Sequence, residues 1–276
     1  MNRNFAGKTV VITGASAGVG AACARAFAAH NSKLVLVARG RAGLNKIAKE
    51  LRSQGTEVLT VAMDVADSND CIKLLKKAEA KFGQVDVVIN NAGMHSRGNL
   101  ETVTPEAVAA MVDINLRAPM VLSCAAIPFL RRSGSGAIVN VGSLAGRAPL
   151  QGAATYSGTK AGLRAFTYAL ADELREANIH VAVVSPGPID TGFIMDEIDQ
   201  VEDIVFSQPM SSAEQVADAV VALAAGEETE ISMPALGAKM TTLSYLFPGL
   251  RRRIRPKLYE QGRKNKEKYR NRAANQ

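Results

Sequence analysis

Short runs of apolar, mostly β-branched residues alternate with longer amphipathic segments along most of the chain. Each run is apolar at every position, which is typical of a strand buried on both faces of a parallel sheet. Six strands are predicted in this way, at residues 8–13, 33–38, 57–63, 86–90, 137–141 and 179–184, with a short last strand at 230–233. Helices are predicted between them. Thr104 caps the helix that starts at Pro105, and a capping box at 211–214 opens another.

This alternation of strands and helices implies a parallel sheet with helices on both faces. Right-handed crossovers then give a doubly wound α/β sheet, the Rossmann fold, in a single domain. We predict that this domain spans residues 1–239. Residues 188–212 form a long, irregular and mostly apolar segment, which we interpret as a lid because such segments often cover a binding site. Residues 240–276 are a C-terminal extension of different character.

Composition and charge narrow the class of protein. Apolar residues make up 47% of the 276 residues, as expected for a globular chain. Cys23, Cys71 and Cys124 are too far apart for a disulfide framework or a cysteine zinc site, and favour a reducing, cytoplasmic compartment. No signal peptide is visible, and the longest weakly polar stretch, 118–130, is too short to span a bilayer. The net charge of +7 comes from residues 251–276, which hold eleven Lys and Arg against two Glu.

Three glycines, Gly14, Gly18 and Gly20, lie between the first predicted strand and the first helix. Glycines there allow a tight turn and let backbone N–H groups at a helix N-terminus approach a pyrophosphate. An NAD site places an acidic residue about 20 residues further on, at the end of the second strand. This chain has Arg39 there, with Arg41 close behind. Because a guanidinium binds a 2′-phosphate well, we predict that the cofactor is NADP(H). The alternative is that Arg39 is an ordinary surface arginine at the end of a strand.

Tyr156 and Lys160 are four residues apart and therefore share one face of a predicted helix. A neighbouring ammonium favours the ionised phenol and is expected to lower the pKa of Tyr156. Such a tyrosine can exchange a proton with a substrate oxygen. The same spacing also occurs in ordinary surface pairs, so the rest of the chain has to decide between the two interpretations.

These features together resemble the short-chain dehydrogenase/reductase family. The resemblance spans roughly residues 6–225 and rests on motifs in the expected order: residues 13–20, Asp64-Val65, Asn90-Asn91-Ala92-Gly93, Asn115, Ser143, Tyr156 with Lys160, and Pro186-Gly187 with Thr191. The resemblance implies four catalytic residues, Asn115, Ser143, Tyr156 and Lys160. The predicted cofactor contacts are Gly14, Ser16, Ala17, Gly18, Val19, Gly20, Arg39, Asp64, Val65, Asn91, Ala92, Gly93, Tyr156, Lys160, Pro186, Gly187, Ile189 and Thr191.

The resemblance also implies a role for each catalytic residue. Tyr156 would protonate the carbonyl oxygen as hydride arrives, and would act as the base in the reverse direction. Lys160 would lower the pKa of Tyr156 and bind the nicotinamide ribose. Ser143 would donate a hydrogen bond to the carbonyl oxygen. Asn115 would kink its helix and hold a water molecule that links Lys160 to solvent.

Two positions depart from the family pattern. Many NADP-preferring relatives carry Lys or Arg where this chain has Ala17, so Arg39 is expected to provide most of the preference. The last predicted strand is not followed by the Asp-Gly-Gly turn that closes the family's tetramer interface. The tetramer is therefore left open. The resemblance implies a homodimer, because the helices around Asn115 and Tyr156 form a dimer interface in the family.

The first hypothesis is an NADP(H)-dependent oxidoreductase that interconverts a hydrophobic ketone and a secondary alcohol, as the apolar lid suggests. The alternative is a non-catalytic NADP-binding sensor or scaffold of the same fold, whose tail contacts a membrane or an acidic partner. A third is a module that binds a membrane or nucleic acid through its tail, although the nearly neutral body gives no support for nucleic acid.

His95 follows the Asn-Ala-Gly turn near the expected cleft. No metal site is predicted, because the three histidines lack metal-ligand spacing.

The extension has two interpretations. Its apolar residues between 243 and 259 are interleaved with arginines, which suits an interfacial segment on anionic lipid. Alternatively, residues 240–259 pack on the domain beside the cleft, and residues 261–276 are solvated and partly disordered. In either case Pro248 and Pro256 are predicted to break any long helix.

Overall fold

A seven-stranded parallel sheet forms the centre of the computed structural model, which describes residues 4–226 and 228–274. The strand order is β3-β2-β1-β4-β5-β6-β7. The strands are β1 (Thr9–Thr13), β2 (Lys33–Ala38), β3 (Val58–Ala62), β4 (Val87–Asn90), β5 (Gly136–Val141), β6 (Ile179–Pro186) and β7 (Glu230–Met233). The predicted Rossmann fold is thus confirmed. The order reverses between β1 and β4, so a crevice opens at the carboxyl ends of these strands.

Helices cover both faces of the sheet. They are α1 (Gly18–Ala29), α2 (Arg41–Ser53), α3 (Ser68–Phe82), α4 (Pro105–Val112), α5 (Ala118–Arg132), α6 (Ala154–Leu174), α7 (Gly192–Met195), α8 (Ala213–Ala225), α9 (Ala235–Leu246) and α10 (Pro248–Ala274). Successive strand residues point to opposite faces. Accordingly, Val10 packs in a core with α1, α2 and α8, whereas Val11 packs in a second core with α3, α5 and α6.

The structure corrects one predicted helix cap and matches the other. Thr104 caps α4 by accepting a hydrogen bond from Ala107 N. The capping box of α8 lies one residue later than predicted: the Ser212 side chain accepts from Gln215 N, and the Gln215 side chain accepts from Ser212 N. Ser211 is unavailable as the cap because it forms a β-bridge with Ile189.

Between α4 and α5, residues Asp113–Arg117 form a π-helical turn, so the helical stretch runs without a break over Pro105–Arg132. This stretch is longer than the apolar segment 118–130 and, by length and composition alone, could cross a membrane. Asn115, Leu122 and Leu130 within it are fully buried or nearly so. Over the most apolar 18 residues of the stretch, however, only 39% are buried, and one such helix is weak evidence for a membrane span.

The predicted lid, residues 188–212, forms a small core of its own; it is called the lid below for brevity. Ile189 and Ser211 bridge its two ends, and Ile194, Val201 and Phe206 are buried together inside it. Tyr269 of α10 packs against the same cluster. Much of the apolar character of residues 188–212 therefore serves packing of the segment itself.

At the end of the chain, Pro248 separates α9 from α10 as predicted. The predicted break at Pro256 and the predicted partial disorder of residues 261–276 are wrong for the described residues. Pro256 lies inside α10, and residues 261–274 are helical rather than disordered; residues 275–276 lie outside the described part. Arg252, whose carbonyl Pro256 cannot bond, is exposed, so solvent can satisfy that group. Tertiary contacts offset the lost hydrogen bond, because Gly262 packs directly on the backbone of Asp203 in the lid.

Candidate active site

The glycine loop leaves β1 at the carboxyl edge of the sheet. Gly14 and Gly18 have positive φ angles, of 67° and 52°, which non-glycine residues rarely adopt. A Cβ on Gly20 would overlap the backbone oxygen of Gly14. Helix α1 begins at Gly18 with Ala17 as its N-cap, no side-chain cap and no acidic residue in its first turn. Its first N–H groups are thus free of side-chain caps, and the loop fits a pyrophosphate.

Asn91 and Thr13 tie the glycine loop to the next strand of the sheet. The Asn91 side-chain amide donates to the carbonyl oxygens of Thr13 and Gly14. The Thr13 hydroxyl accepts from the backbone N–H groups of Asn91 and Ala92. These bonds hold the ends of β1 and β4 together where the strand order reverses.

The remaining predicted cofactor residues lie along the same edge. Arg39 is exposed directly after β2, and Asp64 follows β3 with its side chain accepting from Ala66 N. Thr191 lies against Gly18, since a Cβ built there would be 3.7 Å from Thr191 Cβ. Val65 and Ile189 are half-buried, and Pro186 is the last residue of β6. Ser16 approaches Gly43 of α2. Val19 turns toward the core, so only its backbone faces the loop.

Asn115 lies in the π-helical turn and binds the segment after β4. Its side chain accepts from Met94 N and donates to Met94 O, both at 2.8 Å. A Cβ on Gly93 would lie 3.3 Å from Asn115 Oδ1 and 3.8 Å from Lys160 Nζ. The π-helical turn thus presents the Asn115 side-chain amide to the backbone after β4, which passes close to Lys160.

Ser143, Tyr156 and Lys160 converge at the carboxyl end of β5. Lys160 is 5% exposed, and its ammonium donates to Val141 O at 2.8 Å and lies 5.8 Å from the Tyr156 ring centre. The Ser143 side chain accepts from Ala145 N and is hydrogen-bonded to Tyr156. Tyr156 and Lys160 both lie in the first two turns of α6, as predicted.

The pKa directions differ from the prediction. Burial raises the pKa of Tyr156, and the Ser143 hydrogen bond and the charge of Arg97 lower it only in part. Burial also lowers the pKa of Lys160 to about 8. The expected lowering of the Tyr156 pKa by Lys160 is therefore not what this structure shows, because desolvation of both buried groups is the larger effect.

Sequence reasoning left His95 without a partner and missed Arg97. The His95 ring stacks on Tyr156 with centres 4.3 Å apart and planes at 17°. Arg97, whose side chain is 7% exposed, contacts His95 Nδ1 and pairs with Glu197 of the lid at 2.9 Å. Burial and the charge of Arg97 lower the pKa of His95 to about 4, which keeps the ring neutral. Only the position of His95 after the Asn-Ala-Gly turn hinted at this cluster.

A second missed cluster surrounds Glu230 of β7. Its carboxylate pairs with Arg147 and Arg164 and accepts from Ser185 and Tyr168. Arg147, four residues after Ser143, also donates to Ser232 and to Thr242 of α9. The cluster thus joins the Ser143 segment to the last strand and to the extension.

A crevice at the strand reversal, an uncapped helix N-terminus and a converging Ser–Tyr–Lys group define a nucleotide-binding oxidoreductase of the doubly wound class. The sequence profile described as short chain dehydrogenase matches residues 8–202. The chain belongs to that family, whose members bind a nicotinamide cofactor.

Individual relatives agree with this assignment. The chain is 33% identical over 226 residues to the ketoacyl reductase HetN of Nostoc sp., covering 82% of this chain and 78% of the relative. It is 33% identical over 233 residues to the 3-oxoacyl-(acyl-carrier-protein) reductase FabG of Escherichia coli, covering 83% and 94%. A metagenomic short-chain oxidoreductase in complex with NADP superposes with a TM-score of 0.72 at 30% identity, covering 84% of this chain and 98% of that one.

Proposed function

We propose that this oxidoreductase transfers a hydride between NADP(H) and a hydrophobic ketone or secondary alcohol, with Tyr156 as the general acid and base. The observation that carries the proposal is the convergence of Ser143, Tyr156 and Lys160 beside the glycine loop. When bound, the nicotinamide cofactor supplies the hydride. The protein supplies position, a proton and electrostatic stabilisation.

The hydrogen bonds of the site suggest how each group acts. The Ser143 oxygen accepts from Ala145 N, and its hydroxyl, which is hydrogen-bonded to Tyr156, can turn to donate to a carbonyl oxygen that enters the site. Lys160 uses one of its three protons on Val141 O and has two left for a ribose. The Tyr156 phenol, kept protonated by burial, is suited to donate to the reduced oxygen. Asn115 acts on this group by holding the backbone at Met94.

Tyr156→Phe tests the mechanism. The variant should bind NADPH as the wild type does, measured by cofactor fluorescence, and lose NADPH oxidation with apolar ketones. The names of the relatives make a 3-oxoacyl compound the first substrate to try. Turnover that survives in the variant would refute the proposal. Tight NADPH binding with no turnover by the wild type would favour the non-catalytic alternative.

Arg39 is proposed to hold the 2′-phosphate of NADP(H). It is exposed at the carboxyl end of β2, and no ion pair occupies it in the described part of the chain. Arg39→Ala should weaken binding of NADPH relative to NADH by about tenfold or more, because a charge-assisted contact is lost. Arg41→Ala is the matched control for a general loss of positive charge. An unchanged NADPH to NADH ratio in Arg39→Ala would contradict the assignment.

The setting we propose is a cytoplasmic homodimer that makes peripheral membrane contact through residues 240–276. Free Cys23, Cys71 and Cys124 agree with a reducing compartment. Val112 of α4 and Tyr168 of α6 are large apolar side chains left exposed on the helices that carry the site, which supports pairing there. Analytical ultracentrifugation tests the dimer, and a monomer at micromolar concentration would contradict it.

A further inference from the structure

A concentrated apolar surface lies where α9 meets α10. Of eleven large apolar side chains exposed within residues 4–226 and 228–274, six fall between residues 240 and 250. They are Met240, Leu243, Tyr245, Leu246, Phe247 and Leu250, which we call the apolar corner. Leu246 is 66% exposed, Tyr245 60% and Phe247 57%. Such a concentration of exposed apolar side chains within eleven consecutive residues is typical of an interaction surface.

The apolar corner is followed at once by a group of cations. Arg251, Arg252 and Arg253 begin it, and Arg255 and Lys257 continue it along α10. The first three have no carboxylate partner among the described residues. The two acidic residues of the extension, Glu260 and Glu267, come later in the helix. The surface thus combines exposed apolar and aromatic side chains with unneutralised positive charge.

The second half of α10 anchors this surface to the body of the protein. Lys266 is buried and donates to Val201 O and Asp203 Oδ1 of the lid. Asn265 donates to Phe206 O, and Tyr259 to Glu202. Arg270 pairs with Asp199 and Arg272 with Asp190. One part of the helix therefore binds the lid while its first turns carry the free arginines.

We propose that the apolar corner and Arg251–Arg253 together dock on an anionic phospholipid bilayer. Tyr, Phe and Leu side chains enter the boundary between headgroups and acyl chains, and adjacent arginines bind lipid phosphates. A second copy of the chain fits this surface poorly, because symmetric pairing would bring the two arginine groups together. Nucleic acid would use the arginines and leave the apolar corner exposed to water.

Docking ties the lid to the membrane through α10, whose first turns carry the arginines and whose later turns bind the lid. An apolar carbonyl compound that partitions into the bilayer is then concentrated near the enzyme. This second step rests on the proposed oxidoreductase function, whereas membrane binding itself does not.

Vesicle flotation of the full-length protein tests the docking. The wild type should float with vesicles of equal parts phosphatidylcholine and phosphatidylglycerol, and remain unbound with phosphatidylcholine alone. Changing Arg251, Arg252 and Arg253 together to Gln should lower the bound fraction at least tenfold, as should changing Leu246 and Phe247 to Ser. Lys49, Lys76 and Arg131 changed together to Gln form the control, since these cations are exposed elsewhere and the loss of charge is the same.

Several outcomes would overturn the proposal. Wild-type protein that stays unbound with anionic vesicles would do so, and so would corner variants that float as well as the control. A smaller assembly of the Leu246/Phe247 variant in ultracentrifugation, with unchanged flotation, would assign the surface to a second copy instead. Failure of the oxidoreductase proposal is distinguishable, because it removes turnover from every variant and leaves flotation as it was.

Discussion

Glu230 offers the sharpest test of the contacts that hold the segment after Ser143 in place. Burial raises the pKa of this carboxyl, but hydrogen bonds from Arg164, Ser185 and Tyr168 and the charge of Arg164 outweigh burial and lower the pKa from 4.5 to about 2. Each pKa unit corresponds to ~1.4 kcal/mol, so the ionised form is stabilised in the folded state by about 3 kcal/mol. The Glu230 side chain is only 5% exposed, so solvent screens these contacts little.

The perturbation is Glu230→Gln, which keeps the size of the side chain and removes its charge. We expect a loss of about 3 kcal/mol in the free energy of unfolding at pH 7, because Arg147 and Arg164 are left without their carboxylate. A depressed carboxyl pKa contributes stability above pH 4.5, and this contribution is lost as the pH falls toward 2. The difference between wild type and variant should therefore shrink across that window.

Urea unfolding at pH 7, 4 and 3 measures this difference. Glu57→Gln is the matched control: Glu57 is 59% exposed and 3.7 Å from Lys33, so its loss should cost less than about 1 kcal/mol. A Glu230→Gln variant as stable as wild type at pH 7, or a difference that persists unchanged at pH 3, would refute the reasoning.

Three further predictions follow from other buried contacts. Burial lowers the pKa of Lys160 from 10.5 to about 8, so the unfolding free energy should rise by about 3 kcal/mol between pH 8 and 10.5, and Lys160→Met should abolish that rise. Arg97→Met removes a charge that lowers the pKa of Tyr156, so that pKa should move upward in the pH profile of kcat/KM. The variant should also speed amide hydrogen exchange in the lid, because the Arg97–Glu197 pair is lost. A pH profile that does not move would contradict the effect of Arg97 on Tyr156. Gly262→Ala places a Cβ on a backbone oxygen of the lid and should destabilise the protein by about 1–3 kcal/mol, whereas Gly249→Ala, with open space around it, should not.

The parts of the fold that could be predicted are those that leave a local pattern. Apolar runs gave every strand, and Gly14, Gly18 and Gly20 sit where a turn and a close backbone approach require them. Glu230 could not be found in this way, because its partners Ser185 and Arg164 lie 45 and 66 residues away on other elements and Arg147 lies further still. Charge pairing at such distances has no periodicity, so only the folded chain shows it.

Pro256 shows the opposite case, in which a local rule was available and tertiary contacts overrode it. A proline inside a helix costs about 3 kcal/mol, and on its own it predicts a break. Helix α10 continues nevertheless, because Lys266, Asn265 and Gly262 fix its later turns to the lid. The sequence of the extension alone does not reveal these partners.

The same contacts explain why the end of the chain bears on the site. Arg97 holds the α7 end of the lid through Glu197, which is 47% exposed, and α10 holds residues 198–207 through the buried Lys266. Because the carboxylate of the Lys266 pair is the more shielded from solvent, we predict that the proposed lid opens more easily at the Arg97 pair. That pair also contacts His95, which stacks on Tyr156. Movement at the Arg97 pair would therefore reach Tyr156, the proposed proton-transfer group, while α10 keeps the rest of the proposed lid in place.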